Sequence, residues 1–160
     1  MNQIKYKLQI NLILIFSILS ILFAFYVEYI LGHKPCNLCL FQRLPYILII
    51  FLIVLLLIFR NFERLIFLFL SIIFLSGAFL ALYHVGIEQG FFSESFVCKG
   101  DGNDGTLNKE EILKQLKIRQ ISCIDVTFTM LGVSLATINT FVSTILAIIT
   151  FKIFIKYEKK

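Results

Sequence analysis

Four long apolar runs dominate the chain, and polar breaks separate them. The uncharged runs cover Leu8–Val27, Leu44–Phe59, Leu65–Leu82 and Val126–Phe151. Each comes close to the roughly 20 residues that a helix needs to cross about 30 Å of hydrocarbon. All are apolar on every face, whereas the strands of a membrane β-barrel alternate apolar and polar residues. The pattern therefore predicts four transmembrane helices, at about residues 8–30, 40–59, 65–85 and 126–155.

The polar breaks predict how these helices are connected. Residues 60–64 form a tight link, which makes helices 2 and 3 antiparallel neighbours. Loops at about 31–39 and 86–125 then lie together at the opposite end of the bundle. We expect one domain over residues 1–160, an all-α membrane protein built as a four-helix transmembrane bundle.

The long second loop contains a helix signal of its own. Asn108 is followed three residues later by Glu111, the spacing of a capping box. Ile112, Leu113 and Leu116 would form one apolar face after this start. We therefore expect a short amphipathic helix in the loop, lying on the membrane surface.

The composition agrees with a membrane protein, and the charges orient it. The 160 residues are 59% hydrophobic and 16% charged, which excludes an ordinary soluble globule. Lys and Arg accumulate in cytoplasmic segments. Those at the predicted cytoplasmic end are Lys5, Lys7, Arg60, Arg64, Lys152, Lys156, Lys159 and Lys160. We expect both termini in the cytoplasm; because topology accounts for the net charge of +5, no nucleic-acid partner is expected.

Polar and aromatic residues within the runs predict how the helices sit. Helix 4 carries small polar residues that we expect to face partner helices: Thr127, Thr129, Ser134, Thr137, Asn139, Thr140, Ser143 and Thr144. The tyrosines lie near predicted helix ends, as interfacial rings do: Tyr6, Tyr26, Tyr29, Tyr46, Tyr83 and Tyr157.

All four cysteines fall in the two non-cytoplasmic loops, where disulfides persist. Cys36 and Cys39 form a Cys-x-x-Cys pair directly after Pro35, at the predicted start of helix 2. A helix N-terminus favours a thiolate. A disulfide within such a pair closes a very short loop, so it stabilises the folded state little. This favours reversible thiol–disulfide exchange as the role of the pair. Cys98 and Cys123 fit either a redox role or a structural disulfide.

Three metal or haem interpretations of these patterns fail. Haem attachment requires a His after the second cysteine, and Leu40 stands there. A zinc ribbon needs a second close cysteine pair, which the sequence lacks. The acidic turn from Asp101 does not have the spacing of a calcium loop, because Thr106 and Ile112 occupy the required Gly and Glu positions. No bound metal is expected.

Three charged or titratable residues are candidates beside the cysteines. Arg43 lies just inside helix 2, where it either extends to the headgroups or stabilises the anion of a reduced quinone. His84 and Glu88, one turn apart where helix 3 leaves the membrane, are either proton relays or interfacial polar residues.

Residues 34–43, Lys-Pro-Cys-Asn-Leu-Cys-Leu-Phe-Gln-Arg, resemble the K-P-C-x-L-C-x-x-[QE]-R signature of the DsbB family. These are the inner-membrane disulfide bond formation proteins of bacteria. Residues 83–88 are similar to the family's exit from helix 3, and Cys123, residues 130–135 and Asn139 to its entry into helix 4. The chain has no Trp, and Phe128 stands where family members commonly carry one. Phe128 cannot make a quinone contact that depends on the indole ring of a Trp.

The resemblance implies a quinone-linked thiol oxidase of the inner membrane with its cysteines in the periplasm. A periplasmic DsbA-like thioredoxin-fold protein would be the electron donor, and ubiquinone or menaquinone the acceptor. By position, Cys98 would take the mixed disulfide with the donor, and the released Cys123 would react with Cys36. Cys39 would face the quinone, with Arg43 beside it.

Two other functions remain open at this point. A vitamin-K-epoxide-reductase-like enzyme also joins a small helical bundle, a Cys-x-x-Cys pair and a quinone, although its active pair sits late in the chain. A non-enzymatic four-helix membrane protein with structural disulfides is the more distant alternative.

Overall fold

The described part of the chain contains four membrane-length helices, as the hydrophobic pattern predicts. A computed structural model describes residues 2–58, 63–94, 98, 122–126, 128–130 and 132–156. Helix α1 spans Asn2–Phe25 and continues as a π-helical turn over Tyr26–Ile30; α2 spans Asn37–Phe41, α3 Arg43–Ile58, α4 Glu63–Glu88 and α5 Leu135–Lys156. The segments apolar and long enough to cross a membrane are Tyr6–Ile30, Asn37–Leu57, Arg64–Glu88 and Leu135–Lys156.

The helices pack in a continuous series: α1 contacts α3, α3 contacts α4, and α4 makes its most extensive contact with α5. Their shared core includes Ile49, Ile53, Phe67, Leu70 and Phe74, which are fully buried or nearly so. Large apolar side chains also cover the outside, among them Leu12, Phe51, Phe79 and Phe141. An apolar exterior around an apolar core is the arrangement that suits a lipid solvent.

The second membrane span begins earlier than residue 40 and is interrupted near its start. Cys36 is the N-cap of α2, and the chain turns at Gln42 before α3 begins. Pro45 explains the interruption, because it has no N–H to donate to the carbonyl group of Phe41. The break turns the side chain of Gln42 toward the interior, where only 8% of the residue is exposed.

The prediction that the last helix starts near residue 126 is wrong. Thr129–Met130 and Val133–Ser134 form a short antiparallel hairpin, and α5 begins only at Leu135. Gly132 has φ +80°, a left-handed conformation that a right-handed helix cannot contain. Ser134 then starts the helix, since its Oγ accepts a hydrogen bond from the N–H of Thr137 at 3.2 Å.

Two further boundaries differ or lie outside the described residues. Helix α4 continues to Glu88, slightly beyond the predicted end at about residue 85. The predicted amphipathic helix with Asn108, Glu111, Ile112, Leu113 and Leu116 lies outside the described part of the chain, as does most of the link at residues 60–64.

Candidate redox site

All four cysteines meet at one end of the bundle. Cys36, Cys98 and Cys123 are buried in one cluster with Leu38 and Ile87, and Cys39 packs against it. Cys98 and Cys123 are joined by a disulfide, whereas Cys36 and Cys39 are free. The structure therefore brings a dithiol and a disulfide from separate loops into direct proximity, which the spacing of the cysteines alone did not require.

The free pair is arranged for thiol chemistry. The two Sγ atoms share a hydrogen bond at 2.9 Å, and Cys36 Sγ accepts a second one from the Cys39 N–H at 3.3 Å. The hydrogen bond with the Cys39 thiol is the main reason that the pKa of Cys36 falls from 9.0 to about 4; burial opposes the shift and His84 adds to it. The predicted position of Cys36 at a helix N-terminus is confirmed.

His84 and Glu88 extend this site from the end of α4. His84 is 3% exposed, and its Nε2 lies 3.5 Å from Cys36 Sγ and 3.7 Å from Glu88 Oε1. Glu88 Oε2 accepts a hydrogen bond from Ser134 at 2.5 Å. Both side chains are buried beside the dithiol, so the interpretation as interfacial polar residues does not describe them.

Arg43 is held in an ion pair that was not predicted from the sequence. Its Nη1 lies 2.6 Å from Glu28 Oε2, with side chains only 15% and 20% exposed. The guanidinium also lies over the ring of Phe25, at 5.2 Å from the centroid. Glu28 belongs to the π-helical turn that ends α1. A lone carboxylate just after an apolar run was the available signal, because a buried charge in a membrane segment needs a partner.

A chain of polar side chains leads from His84 into the bundle. His84 Nδ1 lies 2.8 Å from Gln42 Nε2, and Gln42 Oε1 accepts from Asn139 Nδ2 at 2.8 Å. Asn139 Oδ1 accepts from Tyr46 at 2.6 Å and from Ser143 at 3.1 Å. Asn139 and Ser143 face partner helices as predicted, but the interfacial placement of Tyr46 is wrong, because it is 8% exposed and packs edge-on against Phe74.

A cavity of about 240 Å³ opens beside the dithiol. Its polar lining includes Cys36, Cys39, Gln42, Arg43, His84 and Glu88. Its apolar lining includes Phe16, Ile21, Val27, Phe128, Leu135 and Val142. Phe128, which stands where the family commonly has Trp, also packs edge-on against His33 at 5.2 Å. The cavity has the apolar walls and few convergent polar groups that are typical of a small-molecule site.

The same side chains include a set of possible metal ligands. Donor atoms of Cys36, Cys39 and His84 all lie within 4.8 Å of one another. Two thiolates and an imidazole are the ligands that a thiophilic cation prefers. The expectation that no metal is bound here stays a prediction.

Comparison with known proteins agrees with the chemistry of this site. The family model described as disulfide bond formation protein DsbB matches residues 6–153. An uncharacterized protein of Rickettsia prowazekii (strain Madrid E), RP370, is 30% identical over 138 residues, which cover 84% of this chain and 80% of that protein. No solved structure matches the chain. The family match includes the first three membrane segments, the fourth as far as residue 153, and all four cysteines.

Proposed function

The chain belongs to the DsbB family of disulfide bond formation proteins, and from this premise we propose that it reoxidises a periplasmic DsbA-like dithiol protein and passes the electrons to a membrane quinone. As a family member it is a multi-pass membrane thiol oxidoreductase that supports disulfide bond formation. The proposal adds the donor, the acceptor and the route between them.

One observation carries this proposal. The free pair packs in one cluster with the buried Cys98–Cys123 disulfide, and it also lines the cavity that Arg43 lines. A thiol pair in this position has an electron source and an electron acceptor site within contact distance.

The route consists of balanced thiol–disulfide exchanges. A donor thiolate attacks Cys98 Sγ, the loop disulfide breaks, and the Cys123 thiolate leaves. Cys123 then attacks Cys36 Sγ of the oxidised Cys36–Cys39 pair and releases Cys39 as a thiolate. The second donor thiol displaces Cys98, which attacks Cys123 and restores the loop disulfide. The donor leaves oxidised, and Cys36 and Cys39 hold its two electrons; with Cys36 as a thiolate, Cys39 keeps one proton and the other goes to solvent.

An intact loop disulfide beside a free Cys36–Cys39 pair, as these residues are arranged here, is what this last exchange would leave. The low pKa of Cys36 suits the exchange, because a thiol of low pKa is the better leaving group. Cys36 therefore departs readily when Cys98 attacks Cys123.

The cavity residues fit a quinone. When bound there, ubiquinone or menaquinone would take up two electrons and two protons and leave as a quinol. Cys39 and Arg43 line the same cavity, so the thiol faces the acceptor and the guanidinium can donate a hydrogen bond to it. Phe128 supplies an apolar wall in place of an indole. Glu28 holds Arg43 at the cavity instead of allowing it to extend to the headgroups.

The basic helix ends and the cysteine cluster lie at opposite ends of the bundle, which supports the proposed orientation in the membrane. Tyr6 donates a hydrogen bond to the carbonyl group of Lys156 at 3.0 Å, and Arg64 lies over Phe154. These basic helix ends therefore meet at the end away from the cysteines. With that end in the cytoplasm, as the distribution of Lys and Arg favours, the cysteine cluster lies on the periplasmic side.

The two alternatives are less well supported. The Cys-x-x-Cys pair follows the first helix, unlike the late pair of vitamin-K-epoxide-reductase-like enzymes. A protein with purely structural disulfides has no need for a free dithiol beside a cavity.

The test is quinone reduction by the purified protein with reduced thioredoxin-fold donors, followed by quinone absorbance. We expect turnover in the unmodified protein and none in Cys39→Ser. Arg43→Ala should raise the quinone concentration for half-maximal rate about 10-fold, the loss expected for one charged hydrogen bond. Arg64→Ala is the matched control, because Arg64 lies at the other end of the bundle. Quinone reduction by Cys39→Ser would contradict the proposal.

A further inference from the structure

Gln42 and Asn139 connect His84 to two hydroxyl groups in the interior of the bundle. This series of hydrogen bonds starts at His84 Nδ1, passes through both side-chain amides, and ends at Tyr46 and Ser143. It joins residues of α3, α4, α5 and the turn before α3. Neither the Gln42 amide nor the Asn139 amide bonds Cys36 in this series. Any effect of these two residues on the Cys36 thiol therefore passes through His84.

The surroundings of the imidazole determine which nitrogen carries the hydrogen. Cys36 Sγ lies 3.5 Å and Glu88 Oε1 3.7 Å from Nε2. A thiolate and a carboxylate are acceptors only. Nε2 therefore has to be the donor in the neutral ring, which leaves Nδ1 as an acceptor.

The other hydrogen bonds of this series have donors and acceptors that agree with an acceptor at Nδ1. An acceptor at Nδ1 requires Gln42 to present its NH2 group, and its Oε1 then faces the Asn139 NH2 group. Asn139 Oδ1 in turn faces two hydroxyl groups, Tyr46 and Ser143, both of which have a hydrogen to donate. One consistent set of donors and acceptors thus runs from the interior to the redox thiol.

We propose that Gln42 and Asn139 are positioning residues that hold His84 as the neutral tautomer with its hydrogen on Nε2, directed at Cys36. The opposite tautomer would present a lone pair to the Cys36 thiolate and to Glu88. The series of hydrogen bonds thus supplies Cys36 with a fixed donor, the Nε2–H group of a His84 ring that carries no net charge. This inference rests on the proposed role of Cys36 as a redox thiol, but its test needs neither the donor protein nor a quinone.

The tautomer can be measured directly by 15N NMR of the reduced protein labelled at histidine. The chain has 2 histidines, so the variant His33→Gln leaves His84 as the sole signal. In alkaline buffer, where a neutral ring is favoured, we expect Nδ1 unprotonated and Nε2 protonated. A protonated Nδ1, whether in the other tautomer or in imidazolium, would overturn the proposal.

Two substitutions test whether the amides determine this state. Gln42→Glu replaces the donor by a group that only accepts, so Nδ1 should become protonated. Asn139→Leu removes the restraint on Gln42 and should give a mixture of the two tautomers. Thr140→Val is the matched control on α5, because among the described contacts the Thr140 side chain bonds only the carbonyl group of Ala136, and the substitution keeps the backbone carbonyl group that accepts from Thr144.

Thr140→Val should leave the spectrum of His84 unchanged. An unprotonated Nδ1 in Gln42→Glu, or an unchanged tautomer in Asn139→Leu, would contradict the positioning role. Because the spectra report only the ring of His84, this result is independent of quinone turnover. Loss of turnover with the expected spectra would count against the proposed function alone.

Discussion

Cys36 receives its stabilisation from several directions at once. The Cys39 thiol and N–H lie on one side and His84 Nε2 on another, at distances between 2.9 and 3.5 Å. A buried thiolate without such partners would be unfavourable, because burial alone raises the pKa of a thiol. The arrangement makes Cys36 the more acidic thiol of the pair and a good leaving group.

The thiolate of Cys36 should therefore persist in acid. Because the pKa of Cys36 is lowered to about 4, thiolate absorbance in the ultraviolet should rise as pH increases through about 4 and then stay level to neutrality. Cys39→Ala removes the largest cause of the shift, so the transition should move toward the ordinary value of 9.0. The control is Cys36→Ser, which should lack the acidic transition. The absence of an acidic transition in the unmodified protein would contradict this account.

Among the elements, helix ends rather than helix centres build the site. Glu28 comes from the π-helical turn at the end of α1, Gln42 from the break before α3, and His84 and Glu88 from the last turns of α4. The hairpin before α5 completes the set, because Ser134 both caps α5 and bonds Glu88. At Glu28 and Gln42 the backbone departs from regular α-helix, whereas His84 and Glu88 belong to the regular end of α4.

The hairpin depends on the left-handed conformation of Gly132. Gly132→Ala should reduce the free energy of unfolding in detergent micelles by about 1–2 kcal/mol, the cost of a left-handed residue with a side chain. The comparison is Gly77→Ala in α4, where an added Cβ would lie 3.4 Å from the Pro45 ring, in ordinary contact. Equal stability of Gly132→Ala and the unmodified protein would show that the hairpin tolerates another backbone conformation.

At the scale of the whole molecule, the bundle brings the two cysteine pairs together. Packing of α4 between α3 and α5 places the end of α4 beside the start of α2. Ile87 at that end is fully buried in the cluster that contains Cys36, Cys98 and Cys123. The redox site is therefore a product of helix packing and not of either loop by itself.

This proximity predicts a disulfide between the loops. In the double variant Cys39→Ser, Cys98→Ser, the remaining Cys36 and Cys123 should join under mild oxidation, as detected by mass spectrometry of unreduced peptides. The variant Cys36→Ser, Cys98→Ser leaves Cys39 instead, which packs at the edge of the cluster and should cross-link less. Two free thiols after oxidation of the first variant would contradict the packing of the loops.

Much of the fold and part of the site followed from residue patterns. Uncharged runs of membrane length predicted the four helices, and the spacing of Cys36 and Cys39 predicted a redox pair at a helix start. The start of α5 was missed because the hydrophobic run continues through Gly132, whose φ depends on the hairpin. Tyr46 was missed because a tyrosine near a helix end is compatible with the interface as well as with the core.

The sequence by itself determined the membrane class, the number of helices, the family resemblance and the identity of the thiols, because these depend on composition, local periodicity and a short contiguous motif. Only the tertiary structure decided which partner each polar group has. It paired Arg43 with Glu28, placed His84 against Cys36, and linked it through Gln42 to the interior. These pairings join residues from different helices, and their geometry depends on how the helices pack, which no local pattern specifies.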